Sequence, residues 1–395
     1  MTRNVATIAM TAAAATIAVP SVLDAQVIPT VTGPYAVGRQ NLVWTDSTRR
    51  DPMDTTRWRQ VSAFVWYPAA VHKNAEPRAP LPPEWETRRL ESLETKLGPE
   101  IANAMREFAV HAQTNAPLLQ GTSRLPVLLF TPGLSWLATD YSVLLEDLAS
   151  HGYIVVGFSP TGFSNPVVFP DGRVVRQSLG NGASIATDQS YIQDDALFVL
   201  RKIRQLDRDG FLRGRIDLAR IGAFGHSIGG ATSFAIAARD TLIRAAINID
   251  GDVMGDVREV RPHQPLLLIS SDVPKVDEPP ANWSPKRVEL TRQGLERSEK
   301  RRTDEWTALS SQSASANRVR IIGSLHLNFT DAAIVSAHAQ SREARWMKFG
   351  TIDGERGLTI TAELVRMFFD QTFGRAHVGE DFRSAEAHFA EVRVE

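Results

Sequence analysis

Seven short apolar runs punctuate the chain: "VSAFVWYPAA" (Val61 to Ala70), "RLPVLLFTPG" (Arg124 to Gly133), "GYIVVGFSP" (Gly152 to Pro160), "ARIGAFGHS" (Ala219 to Ser227), "RAAINID" (Arg244 to Asp250), "PLLLISSD" (Pro265 to Asp272) and "NRVRIIGSLH" (Asn317 to His326). Their length and composition read as strands. Most are continuously apolar rather than alternating, which predicts strands covered on both faces. Helical patterns separate them at Tyr141 to His151, Ser190 to Leu206, Gly230 to Arg239 and Leu358 to Phe373. Strands spaced by helices imply an α/β chain with a mostly parallel central sheet and helices on both faces.

Two stretches interrupt this alternation. Residues 82–116 read as a charged helical pair inserted between strands, and residues 273–316 as a proline-rich loop followed by a long charged helix. The second insert alternates its charges in sign, the pattern of a solvated helix rather than a nucleic-acid patch. Topology predicts that both inserts roof a pocket above the sheet. "FPDGRVV" (Phe169 to Val175) predicts a hairpin turning at Asp171-Gly172.

The 44 basic and 45 acidic residues almost cancel, so no global field draws the chain to nucleic acid. With no cysteine present, disulfides, thiolate metal sites and a cysteine nucleophile are excluded by composition. Residues 1–25 read as a secretory signal: Arg3 precedes an uncharged stretch from Val5 to Leu23, and a small-residue cleavage site follows Ala25. The expectation is a secreted or periplasmic protein with one domain over residues 26–395. HExxH, His-x-His and calcium-loop spacings are absent from the sequence, so neither a metal nor a cofactor is expected.

Chemistry concentrates in "IGAFGHSIGGATSFAIAA" (Ile221 to Ala238). Ser227 has Gly225 two residues before it and Gly229 two after, at the junction of a strand and a helix of small residues. A Gly-x-Ser-x-Gly match arises in about one chain of this length in ten on composition alone, so the flanking elements carry the weight. A strand leading in and a helix leading out make a sharp turn that exposes a nucleophile at the positive end of a helix. The phosphate-binding spacings that would compete for a Gly-rich strand-to-helix turn are missing.

A serine hydroxyl needs a base, and the base needs an acid to fix its tautomer; in this setting the chain order is serine, acid, histidine. Of the histidines after Ser227, only His326 directly follows a predicted strand. His263 precedes one, His338 lies in a helix-like stretch, and His377 and His388 fall in the polar tail. His226, beside the nucleophile, is expected to pack or orient. Asp250 and Asp272 both end strands and both suit the acid, with Asp252 a near alternative; spacing does not separate the first two. The oxyanion of acyl transfer needs backbone donors. Ile228, after the nucleophile, supplies one. Leu134 in "TPGLS" is the expected second, where Gly133 lets the chain turn its amide inward.

Taken together, "FVWYPA", "RLPVLLFTPGLS", "LASHGYIVV", "VVFPDGRVV", "IDLARIGAFGHSIGGATS", "INIDG", "GSLHLNFTD" and "TIDGERGLTITAELVRMFFDQ" resemble the secreted platelet-activating-factor acetylhydrolase family of α/β-hydrolases, from about Asn41 to Phe373. The resemblance implies Asp250 rather than Asp272 as the acid, His326 within "HLNF" as the base, and Leu134 and Ile228 as oxyanion donors. The family's frequent "SHG" is "TPG" here. Also implied is calcium-independent hydrolysis of short or oxidised acyl chains from glycerophospholipids, with general and polyester-cleaving esterases among bacterial relatives. A lipid ester substrate would bring the protein into transient contact with a membrane or lipoprotein surface. The rival readings are a non-catalytic binding protein on the same fold, and a peptidase or acyltransferase using the same three residues.

Overall fold

The structure is a computed structural model that describes residues 28–71, 81, 83–121, 123–178, 185–253, 262–276, 279–313, 315–338, 347–375 and 382–395. The signal expected at residues 1–25, and His377, lie outside the described residues. Along the chain, β1 (Ala36–Asp51) and β2 (Asp54–Ala69) form a long hairpin, followed by helices α1 (Pro83–Leu97) and α2 (Pro99–Arg106) and a short strand β3 (Gln113–Thr114). Next come β4 (Leu125–Thr131), α3 (Ser142–Ser150), β5 (Ile154–Ser159), the small hairpin β6 (Val167–Val168) and β7 (Val174–Val175), and α4 (Ile185–Asp209). The second half holds β8 (Ile216–His226), α5 (Ile228–Arg239), β9 (Ile243–Ile249), β10 (Leu266–Ser271), α6 (Pro285–Ser310), β11 (Ala316–Ile321), a helix at Gly354–Thr372 and β12 (Val392–Val394).

The large sheet is ten-stranded, in the order β12-β11-β10-β9-β8-β4-β5-β2-β1-β3. From β5 to β11 every neighbouring pair is parallel. This is the mostly parallel sheet that the apolar runs predict. The run at Val61 to Ala70 differs, since β2 lies antiparallel to both β5 and β1. β1 escapes the sequence reading because its second half, "DSTRRD", is polar and partly exposed.

Continuous apolarity has the expected consequence: β4 and β5 are buried almost throughout, and alternate residues enter opposite cores. Leu128 and Phe130 pack with α3, the first insert and the Gly354–Thr372 helix; Val127 and Leu129 pack with α4 and α5. Burying such strands on both faces releases about 25 cal/mol per Å² of apolar surface. Arg59 on β2 is fully buried and is held by Asp195 of α4 at 2.6 Å and 3.1 Å, pinning the hairpin to the helical layer. Among the described residues no helix is long and apolar enough to cross a membrane.

The two inserts behave differently. α6 lies over the carboxyl ends of the central strands and lines a cavity of about 450 Å³ with Leu295, Ser298, Glu299, Arg301 and Arg302. Among the described residues, none of α1 or α2 lines it. The expectation that both inserts roof the pocket is therefore corrected: the apolar side of α1 and α2 joins the core, through Leu93, Leu97, Ile101 and Met105.

Candidate active site

β8 delivers Ser227 into a turn with φ 57° and ψ −125°, a left-handed φ that a non-glycine residue adopts only under constraint. The constraint is close packing. A Cβ on Gly229 would sit 2.0 Å from the Thr131 carbonyl oxygen, and one on Gly225 2.4 Å from the same atom. The two glycines thus let the end of β4 press against the elbow. The Ser227 amide is tied to the Ile249 carbonyl at 2.8 Å, and α5 starts at the next residue.

Asp250 and His326 arrive from the ends of β9 and β11, the two strands that flank β10. Asp250 follows β9 with φ 52°, and its amide bonds the Ile269 carbonyl at 2.7 Å. His326 lies five residues beyond β11, in the single turn His326–Phe329 that Asn328 closes by accepting the Leu325 amide. His326 Nδ1 stands 2.7 Å from Asp250 Oδ2, and its Nε2 stands 3.1 Å from Ser227 Oγ. The order serine, histidine, acid is therefore continuous in space.

The carboxylate is heavily supported. Oδ1 of Asp250 accepts from the Ser271 amide and hydroxyl, each at 2.9 Å, and from Arg302 of α6 at 2.7 Å. Burial works to raise its pKa, but the His326 hydrogen bond and the Arg302 charge outweigh it and hold the group well below the usual carboxylate range. Asp250 stays ionised. Neither Ser271 nor Arg302 carries a signal in the sequence that would have assigned it here.

Asp272 serves elsewhere: its carboxylate accepts from the Val273 amide at 2.8 Å and the Gly323 amide at 3.1 Å, bracing the loop that leads to His326. Asp252 pairs with Arg301 at 3.0 Å. His263 is exposed, His338 ends the short turn Ser336–His338, and His388 bonds the Ser384 carbonyl. The structure brings none of these three to Ser227.

His226 is fully buried beside the site, its ring centroid 4.5 Å from that of His326. Burial, reinforced by the neighbouring His326, drives its pKa far down, so it stays neutral. The Gly133 amide donates to the Tyr141 hydroxyl at 3.1 Å, which leaves the hydroxyl proton for His226 Nδ1 at 2.9 Å. This chain stitches the loop after β4 to the elbow. A Cβ on Gly133 would crowd this chain, approaching His226 Nδ1 to 3.0 Å and Tyr141 Oη to 3.2 Å. The residue of this loop with a left-handed φ is Ser135, at 68°.

Leu134 and Ile228 both line the cavity with Ser227 and His326. Ile228 is the first residue of α5, where an amide has no intrahelical acceptor, and among the described residues the Leu134 amide bonds no protein carbonyl. Two amides beside the serine are thus free to bind an anion. Val273, Pro274, Leu295 and Met347 give the cavity an apolar side.

A parallel sheet enclosed by helices, with a serine on a strand-to-helix elbow and an Asp-His pair at the carboxyl edge, defines an α/β-hydrolase fold. The chain belongs to the family described as platelet-activating factor acetylhydrolase, isoform II, whose sequence pattern matches residues 21–159 and 205–387. Among relatives, it is 26% identical over 248 residues to a protein of Arthroderma benhamiae named probable 1-alkyl-2-acetylglycerophosphocholine esterase, across 60% of this chain and 62% of that one. It is 30% identical over 194 residues to the platelet-activating factor acetylhydrolase of Bos taurus, across 41% of this chain and 43% of that one. The matches thus span less than two thirds of the length of these relatives. The fold is also that of a ferulic acid esterase from Streptomyces cinnamoneus, with a TM-score of 0.71 and 24% identity over 94% of this chain and 99% of that one.

Proposed function

We propose that the protein is a carboxylic ester hydrolase that works through an acyl-enzyme on Ser227. The observation that carries this reading is the unbroken chain from Ser227 Oγ through His326 to Asp250, at 3.1 Å and 2.7 Å, beside two unspent amides. Ser227 attacks the ester carbonyl while His326 Nε2 takes its proton. The carbonyl oxygen becomes an oxyanion held by the Leu134 and Ile228 amides. His326 then protonates the departing alcohol, and water repeats the sequence to release the acid. Asp250 holds the imidazole in one tautomer and balances its charge without accepting the proton.

The substrates in this reading are short-acyl esters of glycerophospholipids. Support comes from family membership, from the relatives' names, and from a cavity with one apolar side and a charged rim at Asp252, Glu299 and Arg301. The lipid substrate implies transient contact with a membrane or lipoprotein surface. Export with cleavage after Ala25 belongs to the same proposal, and mass spectrometry of exported protein should find Gln26 first; an intact Met1 overturns it.

Ser227→Ala should abolish turnover of p-nitrophenyl acetate with the far-UV circular dichroism unchanged, and retained turnover would refute the mechanism. Rates across an ester chain-length series, with a 2-acetyl phospholipid included, test the substrate class. The proposal expects the shortest acyl groups and the phospholipid to lead; a maximum at long acyl chains overturns it.

A further inference from the structure

Lys96, near the end of α1, has no place in the chemistry above, yet it reaches the loop that carries Leu134. Its Nζ donates to the Ser135 carbonyl at 2.6 Å and lies 4.0 Å from the centroid of the Trp136 indole. Residues Gly133 to Trp136 form a turn closed by the Trp136 amide on the Gly133 carbonyl at 3.1 Å. Ser135 occupies its third position with φ 68°, where glycine or asparagine is the usual resident. Such a conformation persists only when its surroundings over-determine it. Here the Ser135 amide bonds the Phe163 carbonyl at 2.8 Å, its hydroxyl bonds Gln177, and its carbonyl is taken by Lys96.

These bonds run end to end. The ammonium bonds the carbonyl of the 135–136 peptide group, whose N–H bonds the carbonyl of the 133–134 group, whose N–H is the Leu134 donor. Hydrogen bonds in series polarise one another, and a cation at the far end strengthens the terminal donor. Resting on the mechanism proposed for Ser227, we propose that Lys96 is a positioning residue for the oxyanion site: it clamps the strained Ser135 turn and polarises the Leu134 amide through two peptide groups.

The charged groups facing the ammonium are Asp140, which favours its charge, and Arg89, which opposes it; Lys348 lies beyond, its own ammonium on the Lys96 carbonyl at 3.2 Å. Burial is the largest influence and brings the Lys96 pKa down to about 8. The clamp therefore loses its charge within a range where the enzyme can be assayed.

The test compares Lys96→Met and Lys96→Arg with the wild type on p-nitrophenyl acetate, with circular dichroism to establish folding and Ser227→Ala as the control. Lys96→Met should lower kcat about tenfold with KM changed less than twofold, since a displaced donor is lost chiefly in the transition state. Lys96→Arg should recover most of kcat. In addition, the fall of wild-type kcat above pH 8 should be weaker in Lys96→Arg, whose guanidinium does not titrate there. Should Lys96→Met fail to fold, the arginine variant and its pH profile still decide. A Lys96→Met kcat within twofold of wild type, a loss confined to KM, or an arginine variant with the wild-type alkaline limb overturns the proposal. Activity surviving in Ser227→Ala would instead overturn the underlying mechanism.

Discussion

Arg302 Nη2 donates to Asp250 Oδ1 at 2.7 Å, on the carboxylate oxygen that His326 leaves free. The acid beneath the histidine thus also fastens the helix that roofs the cavity, and α6 is joined to the site by an ion pair with Asp250 almost wholly buried.

Arg302→Gln should therefore act on catalysis and on acid stability together. Loss of one of three supports on Oδ1 should lower kcat/KM about tenfold through misplacement of the His326 ring. The folded-state pKa of Asp250 is depressed, so its contribution to stability is present above the ordinary carboxylate range and is lost as pH falls through and below it. Without the Arg302 charge that depression shrinks. Acid unfolding followed by tryptophan fluorescence should then begin at higher pH than in wild type.

The two aspartates that spacing left equal should separate cleanly. In Asp250→Asn the oxygen stays with the three donors on Oδ1 and the amide nitrogen faces His326 Nδ1, so the tautomer is lost and kcat on p-nitrophenyl acetate should fall about 10⁴-fold. Asp272→Asn keeps an oxygen for only one of the Val273 and Gly323 amides, which bond different carboxylate oxygens, but neither amide touches Ser227 or His326, so its loss should stay under about tenfold. Equal losses in the two variants would contradict the geometry.

Why some of this was legible in the sequence is a matter of range. Ser227, Gly225 and Gly229 are read together because the elbow is a local structure whose requirements fall within five residues. His326 and Asp250 are read because strand ends of a parallel sheet meet at one edge, so position along a strand substitutes for distance in space. Between Asp250 and Asp272 that reasoning is blind, since β9 and β10 are neighbours and both end at the same edge. Arg302 was illegible for a different reason: on a helix whose outer face is paired within itself, as at Arg292–Glu289 and Lys300–Asp304, one inward arginine looks like the rest. Gly133 is singled out in the sequence for its backbone freedom, whereas in the structure a Cβ there would crowd His226 and Tyr141. That fact belongs to contacts from β8 and α3, which no local pattern encodes.

Asp195→Asn should destabilise the protein by about 3–5 kcal/mol in urea unfolding, because it leaves the fully buried Arg59 guanidinium without its main counter-charge. Arg59 would retain Asp51 at 3.4 Å as its counter-charge, with the Thr161 carbonyl at 2.8 Å and one neutral Asn oxygen, and Arg49 would lose the charge of the carboxylate it shares at 2.9 Å. Turnover per folded molecule should not change, since neither residue lines the cavity. Replacing both partners, as Arg59→Met with Asp195→Leu, should recover much of the loss, because two charges then need not be buried.

Stability should also decline on the alkaline side, and two carboxyls set the direction. Burial pushes Asp331 up to about 8, with Asp140 adding to the effect while the Ser142 and Val143 amides and Arg89 pull the other way. Burial likewise pushes Glu146 up to about 7, against the Arg39 charge and the His111 and Ala112 amides. Each group holds its proton in the folded chain after the unfolded chain has released it, which occurs near pH 4. Between those pH values the folded state binds more protons, so the free energy of unfolding falls as pH rises and levels off once the folded groups have ionised. Buried His226 acts in the opposite sense below about pH 6.5 and Lys96 above about pH 8, so Tm should drop between those values. In Asp331→Asn the drop between about pH 6.5 and pH 8 should be shallower, because the amide has no proton to lose while still offering one oxygen to one of the two α3 amides. A slope equal to that of wild type would show that Asp331 ionises in the folded protein as it does in the unfolded chain.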